Sequence, residues 1–263
     1  MIRFLLALIL FASTSIAFGQ DNQDLGDLIT DRPDATESPN TMPAGFFQLE
    51  TGAFYSEEET GQITTKATTF NTALLRYGIL DNLELRLGWN FTEVTTEVAG
   101  VETPGVLSGF EPLLLGAKVA IAKENGWMPE LGLLGHVYLP LSAGSDFRPE
   151  TTGVDFRFSM AHTLNERSSI AYNLGAQWGD DSPEAAYVYT LAYGYSLGSG
   201  FGIYGELYGD LPEDSESNHY WDAGFTYLLN PNFQLDATIG GSVNADQNIL
   251  ISAGFSYRVN VNN

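Results

Sequence analysis

The clearest pattern along the chain is an alternation of apolar and polar side chains with a period of two residues. In residues 83–95, one face carries Leu83, Leu85, Leu87, Trp89 and Phe91, and the other carries Glu84, Arg86, Gly88, Asn90 and Thr92. This period is typical of a β-strand with one apolar face. After residue 19 no stretch shows a sustained helical period. The sequence therefore predicts an all-β protein.

Twelve such segments follow one another, at residues 46–56, 64–78, 83–95, 111–123, 130–142, 153–164, 169–179, 186–197, 201–209, 220–229, 233–241 and 248–259. Tight turns alternate with longer connections. The segments exceed the roughly five or six residues usual in soluble sheets and approach the length that crosses a bilayer. Residues 46–263 are therefore predicted to form an antiparallel up-and-down transmembrane β-barrel of about 12 strands, with both termini at the short-turn, periplasmic side. A secreted β-sandwich, which also alternates, is the alternative.

The first residues have the features of an export signal. A short basic start at Arg3 precedes the apolar run of residues 4–11, and small residues follow up to Gly19. This order predicts a secretory signal peptide over residues 1–19. The apolar run is too short to span a bilayer. A buried N-terminal helix is the alternative.

Composition removes several classes of function. The 263 residues include 33 acidic and 11 basic side chains, for a formal charge of −22, and cysteine is absent. A nucleic-acid partner is excluded because such binding needs a basic face. A disulfide framework or a thiolate zinc site needs cysteine. The sequence predicts neither a cofactor nor a metal site.

Charged residues on the non-apolar faces would line the lumen of the barrel. The predicted selectivity lining consists of Glu50, Glu84, Arg86, Lys118, Asp155, Arg157, Glu206, Asp222 and Arg258. Both signs are interspersed, so these side chains should pair across the lumen or contact water. Two interpretations remain open. The lining forms either a polar conduit with an electrostatic constriction or a packed ionic core that holds a narrow barrel shut.

The segment before the first strand, residues 20–45, is predicted to be periplasmic and is a candidate plug. Its prolines argue against a helix. Its polar motif consists of Asp31, Arg32, Pro33, Thr36 and Glu37. We hypothesise that residues 30–39 fold back into the periplasmic mouth of the barrel, where Arg32 and Glu37 pair with inward charges such as Glu84 and Arg86. An ordered periplasmic strap is the alternative.

The longer connections carry much of the negative charge, including Glu57, Glu58, Glu59, Asp180 and Asp181. Such a rim would repel anions and could hold divalent cations. No stretch matches an EF-hand calcium loop. Solvated acidic loops are therefore the simpler interpretation.

Several stretches resemble a known family. The opening ITDRPDATESP (residues 29–39), the following residues 43–50, LELR (83–86), residues 224–232 and GFSYR (254–258) are similar to the outer-membrane family called "putative MetA-pathway of phenol degradation". The resemblance covers nearly all of the mature chain. It implies a barrel in the outer membrane of a Gram-negative cell that passes small solutes, including aromatic or hydrophobic ones. The chain departs from outer-membrane barrels that end on an aromatic residue read by the assembly machinery, because it ends in Asn262 and Asn263.

These observations predict an outer-membrane channel for passive passage of small solutes, with lipid and the assembly machinery as partners. A closed structural or surface-interaction barrel that acts through its acidic loops is one alternative. A hydrophobic-compound pore with a lateral exit is the other.

An enzyme is not predicted. The chain has no Gly-x-Ser-x-Gly elbow and no His-Glu-x-x-His motif. The three histidines, His136, His162 and His219, are interpreted as interface anchors or solvated side chains.

Overall fold

The structure is a computed structural model that describes residues 25–179 and 183–261. The predicted signal peptide, the loop acids Asp180 and Asp181, and the two C-terminal asparagines lie outside the described residues. The strands are β1 (Phe46–Thr60), β2 (Ile63–Leu80), β3 (Leu83–Val98), β4 (Val101–Glu102), β5 (Leu107–Phe110), β6 (Leu113–Ala122), β7 (Glu130–Leu139), β8 (Gly153–Asn165), β9 (Ser168–Trp178), β10 (Ala186–Gly198), β11 (Phe201–Pro212), β12 (Asn218–Asn230), β13 (Phe233–Ser242) and β14 (Gln247–Asn260). Within this part of the chain, no helix is long and apolar enough to cross a membrane.

Two of these strands, β4 and β5, are short and lie beside β3, while the other twelve form one closed antiparallel barrel. Strand β14 closes the ring by pairing with β1, from Phe46↔Asn260 to Glu58↔Gln247. Because the ring is closed, each of the twelve strands has a hydrogen-bonded neighbour on both sides and no edge strand remains. The predicted fold class, with about 12 strands, is confirmed. The β-sandwich alternative is wrong, because a sandwich consists of two separate sheets.

The wall of the barrel is taller on one side. Strands β1, β2 and β3 contain 15, 18 and 16 residues, whereas β6 and β7 contain 10 each. Residues 57–61 were predicted to be one of the acidic connections, but residues 57–60 extend β1 because they pair with residues 63–66 of β2, where two threonines favour a strand. The predicted strand at residues 130–142 ends instead at Leu139, because Pro140 has no N–H to donate.

The outer and inner faces of the barrel differ sharply in polarity. On β3 the outward Leu85, Leu87 and Trp89 are 47%, 37% and 38% exposed, whereas the inward Glu84 and Arg86 are buried. A continuous exposed apolar surface is unusual on soluble proteins and is what lipid contact requires. The alternation in the sequence therefore reports lipid on the outside and a polar lumen on the inside.

Residues 25–44, which we call the plug, lie inside this lumen. The plug enters at the short-turn end, where the Leu28 N–H donates to the Pro231 carbonyl at 2.9 Å. It crosses the lumen and returns to the same end. There the Thr41 hydroxyl donates to the Asp81 carbonyl at 2.9 Å, and Ala44 forms a parallel bridge with Gly78.

The returning plug backbone passes so close to Gly78 that a side chain there is expected to displace it. A Cβ atom on Gly78 would lie 2.1 Å from the Pro43 carbonyl oxygen. We expect Gly78→Ala to lower the free energy of unfolding by about 1–3 kcal/mol, the usual cost of overpacking. The measurement is the temperature at which the barrel loses its fast migration on a denaturing gel. Gly205→Ala is the control, because no atom lies within 4 Å of a Cβ there; equal shifts would contradict the close approach.

Candidate functional site

The plug is held to the tall wall of the barrel by a buried ion cluster centred on Arg76 of β2. The Arg76 guanidinium contacts Glu84 through two nitrogens, each at 2.9 Å, and Glu50 at 2.9 Å. It also donates to the Ile29 carbonyl at 3.3 Å and to the Asn40 carbonyl at 2.9 Å. Because Ile29 lies on the entering leg of the plug and Asn40 on the returning leg, one side chain joins both legs to the wall.

Asp31 is the plug residue at the centre of this cluster. Its carboxylate lies 2.7 Å from Lys118 Nζ, 2.9 Å from Arg86 and 3.1 Å from Arg76. Its backbone N–H donates to Glu50. Burial alone would raise the pKa of Asp31, but the charges of Arg76, Lys118 and Arg86 hold this pKa well below its usual range. Asp31 is therefore a carboxylate that three cations of the wall stabilise.

The two charged residues that the sequence singled out in the plug have different partners. Glu37 pairs with Arg86 at 2.8 Å, as hypothesised. Arg32 does not pair with Glu84. It forms a salt bridge with Asp236 of β13 at 2.8 Å and donates to the Thr72 hydroxyl at 2.9 Å. The reason is the path of the plug, which directs Arg32 towards the paired strands β1 and β14. Its guanidinium lies so close to Gly254 of β14 that a Cβ atom there would be only 2.4 Å away.

The far side of the plug, which we call the tip (residues 34–38), reaches β8 to β11. The Ala35 N–H and the Thr36 hydroxyl donate to Glu206 of β11. The Glu37 N–H donates to Asn173 of β9 at 2.7 Å, and the Asn173 amide donates back to the Glu37 carbonyl at 2.9 Å. These contacts are hydrogen bonds. The tip also contacts wall cations, because Glu37 pairs with Arg86 and the Arg157 guanidinium donates to the Ala35 carbonyl at 3.4 Å.

Two acidic side chains stand side by side behind the tip. Glu206 and Asp222 are direct cross-strand neighbours on β11 and β12, and they are 4% and 5% exposed. Like charges in this arrangement repel each other. The Asp222 Oδ1 atom is buried without a hydrogen-bond partner. No ion pair within residues 25–179 and 183–261 involves Glu206, Asp222 or the tip residue Asp34.

A cavity of about 620 Å³ lies between the plug and the wall at the short-turn end. Asp27, Arg32 and Asp34 line it from the plug side, and Tyr204 and Thr226 line it from the wall. Tyr204 is the inward residue next to Glu206 along β11. The cavity therefore extends from the short turns to the tip.

Two predicted lining residues lie away from the plug cluster. Asp155 accepts hydrogen bonds from His136 at 3.0 Å and from the Tyr138 hydroxyl at 2.6 Å. Arg258 lies near the short turns, where it donates to the Gly26 carbonyl and to Asn232. The interpretation of His136 as an interface or solvated residue is wrong. It is 7% exposed, because the two-residue period that points Gly132 inward also points His136 inward.

The structure brings most of the predicted lining to the plug. Glu50, Glu84, Arg86 and Lys118 contact it in the ion cluster, Arg157 donates to the Ala35 carbonyl at 3.4 Å, and Glu206 and Asp222 lie behind the tip. That these residues set selectivity stays a prediction. Sequence reasoning missed Asn173, Asp34 and Thr190 of β10, whose hydroxyl accepts from the Thr36 hydroxyl at 2.6 Å. For Asn173 a signal existed, since it falls on the polar face of its strand.

Within the described residues, no group of three or more histidine, aspartate or glutamate side chains could hold a metal ion. The predictions that the protein needs no cofactor and is not an enzyme stay predictions.

Comparisons with known proteins extend over almost the whole chain. A family model described as "Putative MetA-pathway of phenol degradation" matches residues 30–259. The match therefore includes most of the plug as well as the barrel. A comparison with curated proteins finds no match.

Solved structures share the fold at low sequence identity. The COG4313 outer membrane channel from Pseudomonas putida F1 superimposes with a TM-score of 0.65 at 15% identity, covering 84% of this chain and 97% of that chain. The KdgM porin gives 0.52 at 9% identity, covering 80% and 98%. The NanC porin gives 0.51 at 11% identity, covering 80% and 100%. The fold is thus one that outer-membrane barrels adopt.

Proposed function

The chain belongs to the family described as "Putative MetA-pathway of phenol degradation", and on that premise we propose that it is an outer-membrane channel for the passive passage of small solutes. The mature chain would be secreted after removal of residues 1–19 and folded by the outer-membrane assembly machinery. Outer-membrane lipid would surround its apolar face. The solutes would include aromatic or hydrophobic compounds, in keeping with the phenol named in the family description.

The observation that carries this proposal is that a separate segment, and not the barrel's own side chains, fills the lumen. Barrels of roughly eight strands are filled by their side chains, whereas those of about sixteen leave an aqueous channel. A wall of twelve strands encloses intermediate space, and here the plug occupies it. Because the plug is attached by hydrogen bonds and ion pairs, its displacement would open a polar path across the membrane.

The buried ion cluster favours a second candidate, a closed structural or surface-interaction barrel. Arg76, Glu50 and Glu84 are each fully buried, and Arg76 contacts both legs of the plug directly. A plug that never leaves would give a barrel that acts only through its acidic loops. The two candidates differ in one measurable property, which is conductance.

Ion conductance of the purified mature protein in a planar bilayer tests the proposal. We expect heat-modifiable migration on a denaturing gel, followed by discrete conductance steps of low open probability, because the plug must move for ions to pass. The detergent solution without protein, added to the same bilayer, is the control for bilayer artefacts. A heat-modifiable protein that stays silent, also after the plug is deleted, would favour the structural barrel.

A further inference from the structure

Two buried nitrogen atoms of the inner wall have no hydrogen-bond partner within the part of the chain that the structure describes. They are Nε2 of His136 and Nε of Arg86. Both side chains are deeply buried, since His136 is 7% exposed and Arg86 is 3% exposed. Buried polar groups in folded proteins are almost always hydrogen-bonded, because an unpaired one is costly. We therefore expect a partner that comes from outside the chain.

The two side chains lie on one cross-strand row of the wall. Arg86 of β3 pairs with Gly116 of β6, and Gly116 pairs with His136 of β7. The Nδ1 atom of the imidazole faces β8, where Asp155 lies, so its Nε2 edge faces β6. A Cβ atom on Gly116 would be 3.1 Å from Nε2. Because Gly116 has no side chain, nothing on β6 separates the imidazole from Arg86 along this row.

The hydrogen bonds of the imidazole define what Nε2 can bind. Nδ1 of His136 lies 3.0 Å from an oxygen of Asp155, and the same carboxylate accepts from the Tyr138 hydroxyl at 2.6 Å. A carboxylate can only accept, so Nδ1 carries the proton and Nε2 of the neutral ring is an acceptor. The Nε–H group of Arg86 is a donor. The row therefore presents one free acceptor and one free donor.

Resting on the proposed function, we propose that His136 and Arg86 form a recognition site for the hydroxyl group of a neutral solute. A hydroxyl both donates to Nε2 and accepts from Nε–H. A carboxylate has no proton for Nε2, and the charge of Arg86 is already matched by Asp31 and Glu37, so anionic solutes are disfavoured. Asp155 is a positioning residue, because it holds the imidazole proton on Nδ1.

The plug controls access to this site. Glu37 of the tip pairs with Arg86 at 2.8 Å, so the docked tip lies against the site and helps to shield it. Movement of the tip would expose Arg86 and the neighbouring imidazole to the lumen. A solute hydroxyl is therefore bound in the open channel. A water molecule carries the same donor and acceptor groups, so the test must distinguish a solute from water.

Block of the open single-channel current by phenol and by anisole makes this distinction. Anisole carries a methyl ether in place of the hydroxyl, so it can accept a hydrogen bond but cannot donate one. We expect phenol to block the full-length wild-type channel at about fivefold lower concentration than anisole, the effect of one hydrogen bond. The variant His136→Phe keeps an aromatic ring without Nε2 and should lose this preference. The matched control is His162→Phe, because His162 is partly exposed and lies 3.8 Å from Glu124; it should keep the preference.

Heat-modifiable migration on a denaturing gel shows which variants are folded. A folded His136→Phe channel that retained the wild-type preference would overturn the site while leaving the channel. Equal block of the wild type by phenol and anisole would also overturn it, because water alone would then satisfy the two nitrogens. This second comparison needs no variant. If the wild-type and plug-deleted chains are both silent, the proposed function fails, and the site fails with it.

Discussion

A mature chain that lacks residues 25–40 is expected to form a continuously open pore with a much larger conductance than the full-length protein. The deleted residues lie in the lumen between two contacts with the wall. Leu28 bonds the Pro231 carbonyl at one end, and Asn40 bonds Glu130 at the other. They contact inward side chains on β1, β2, β3 and β6, such as Glu50, Arg76, Arg86 and Lys118. Once it is gone, the twelve-stranded wall encloses water. Single-channel recording in planar bilayers measures the change.

The barrel itself is expected to survive this deletion. The exposed wall charges have both signs and include the direct pair of Arg76 with Glu84, so water and neighbouring residues can satisfy them. The deletion stops before Met42, whose N–H donates to Glu84 at 2.8 Å, and thus keeps the entry to β1. Shortening the exposed loop at residues 100–105 is the control and should leave conductance unchanged. Equal conductance of the full-length and plug-deleted chains would show that the plug does not close the pore.

Much of the barrel could be read from the sequence because strand period and polarity are local properties. The alternation in residues 83–95 placed Glu84 and Arg86 inward, and the structure has them there. The limits appeared at strand ends, where pairing with the neighbouring strand decides whether a polar segment is strand or loop. Residues 57–60 looked like an acidic loop, but they extend β1 because Glu57 and Glu58 find partners on β2.

The partners inside the lumen were harder to foresee. Which side chains meet across a barrel depends on the stagger of its strands, and the path of the plug depends on that shape in turn. The sequence singled out Arg32 and Glu37 as charges that would enter the lumen, yet only the fold decides that Arg32 reaches Asp236. The two-residue period does place Arg76 inward, but its partners could not be read for the same reason, since they come from β1, β3 and both legs of the plug.

The charged composition of the ion cluster around Arg76 also has a physical consequence. A buried ion pair is often no more stabilising than an apolar contact of similar size, but removing one partner is costly. Charge-assisted hydrogen bonds are directional, so such contacts give one defined docking geometry. A plug held this way has a unique closed position and can still be hydrated and released as a unit. Asp31 is the clearest case, because three cations fix one carboxylate.

Replacement of Arg76 by methionine is expected to release the plug. Arg76→Met leaves Glu50 and Glu84 buried without their main counter-charge and removes the bonds to the Ile29 and Asn40 carbonyls. Losing one partner of a buried ion pair typically costs about 3–5 kcal/mol. Docking should therefore weaken by that amount, and the open probability of the channel should rise towards that of the plug-deleted chain.

Release can be measured independently of conductance, because the chain has no cysteine. The Ser38 hydroxyl is buried, so a Ser38→Cys probe should resist a maleimide reagent in the otherwise native protein and react rapidly once Arg76→Met is added. Lys66→Met is the matched control, since Lys66 pairs with Glu97 at 2.6 Å away from the plug, in an exposed ion pair that contributes little to stability. Arg76→Lys should give an intermediate rate, because an ammonium group cannot reproduce the two parallel bonds to Glu84. If the Ser38→Cys probe stays protected in Arg76→Met while the barrel remains folded, packing and the tip contacts hold the plug, and the ion cluster around Arg76 does not.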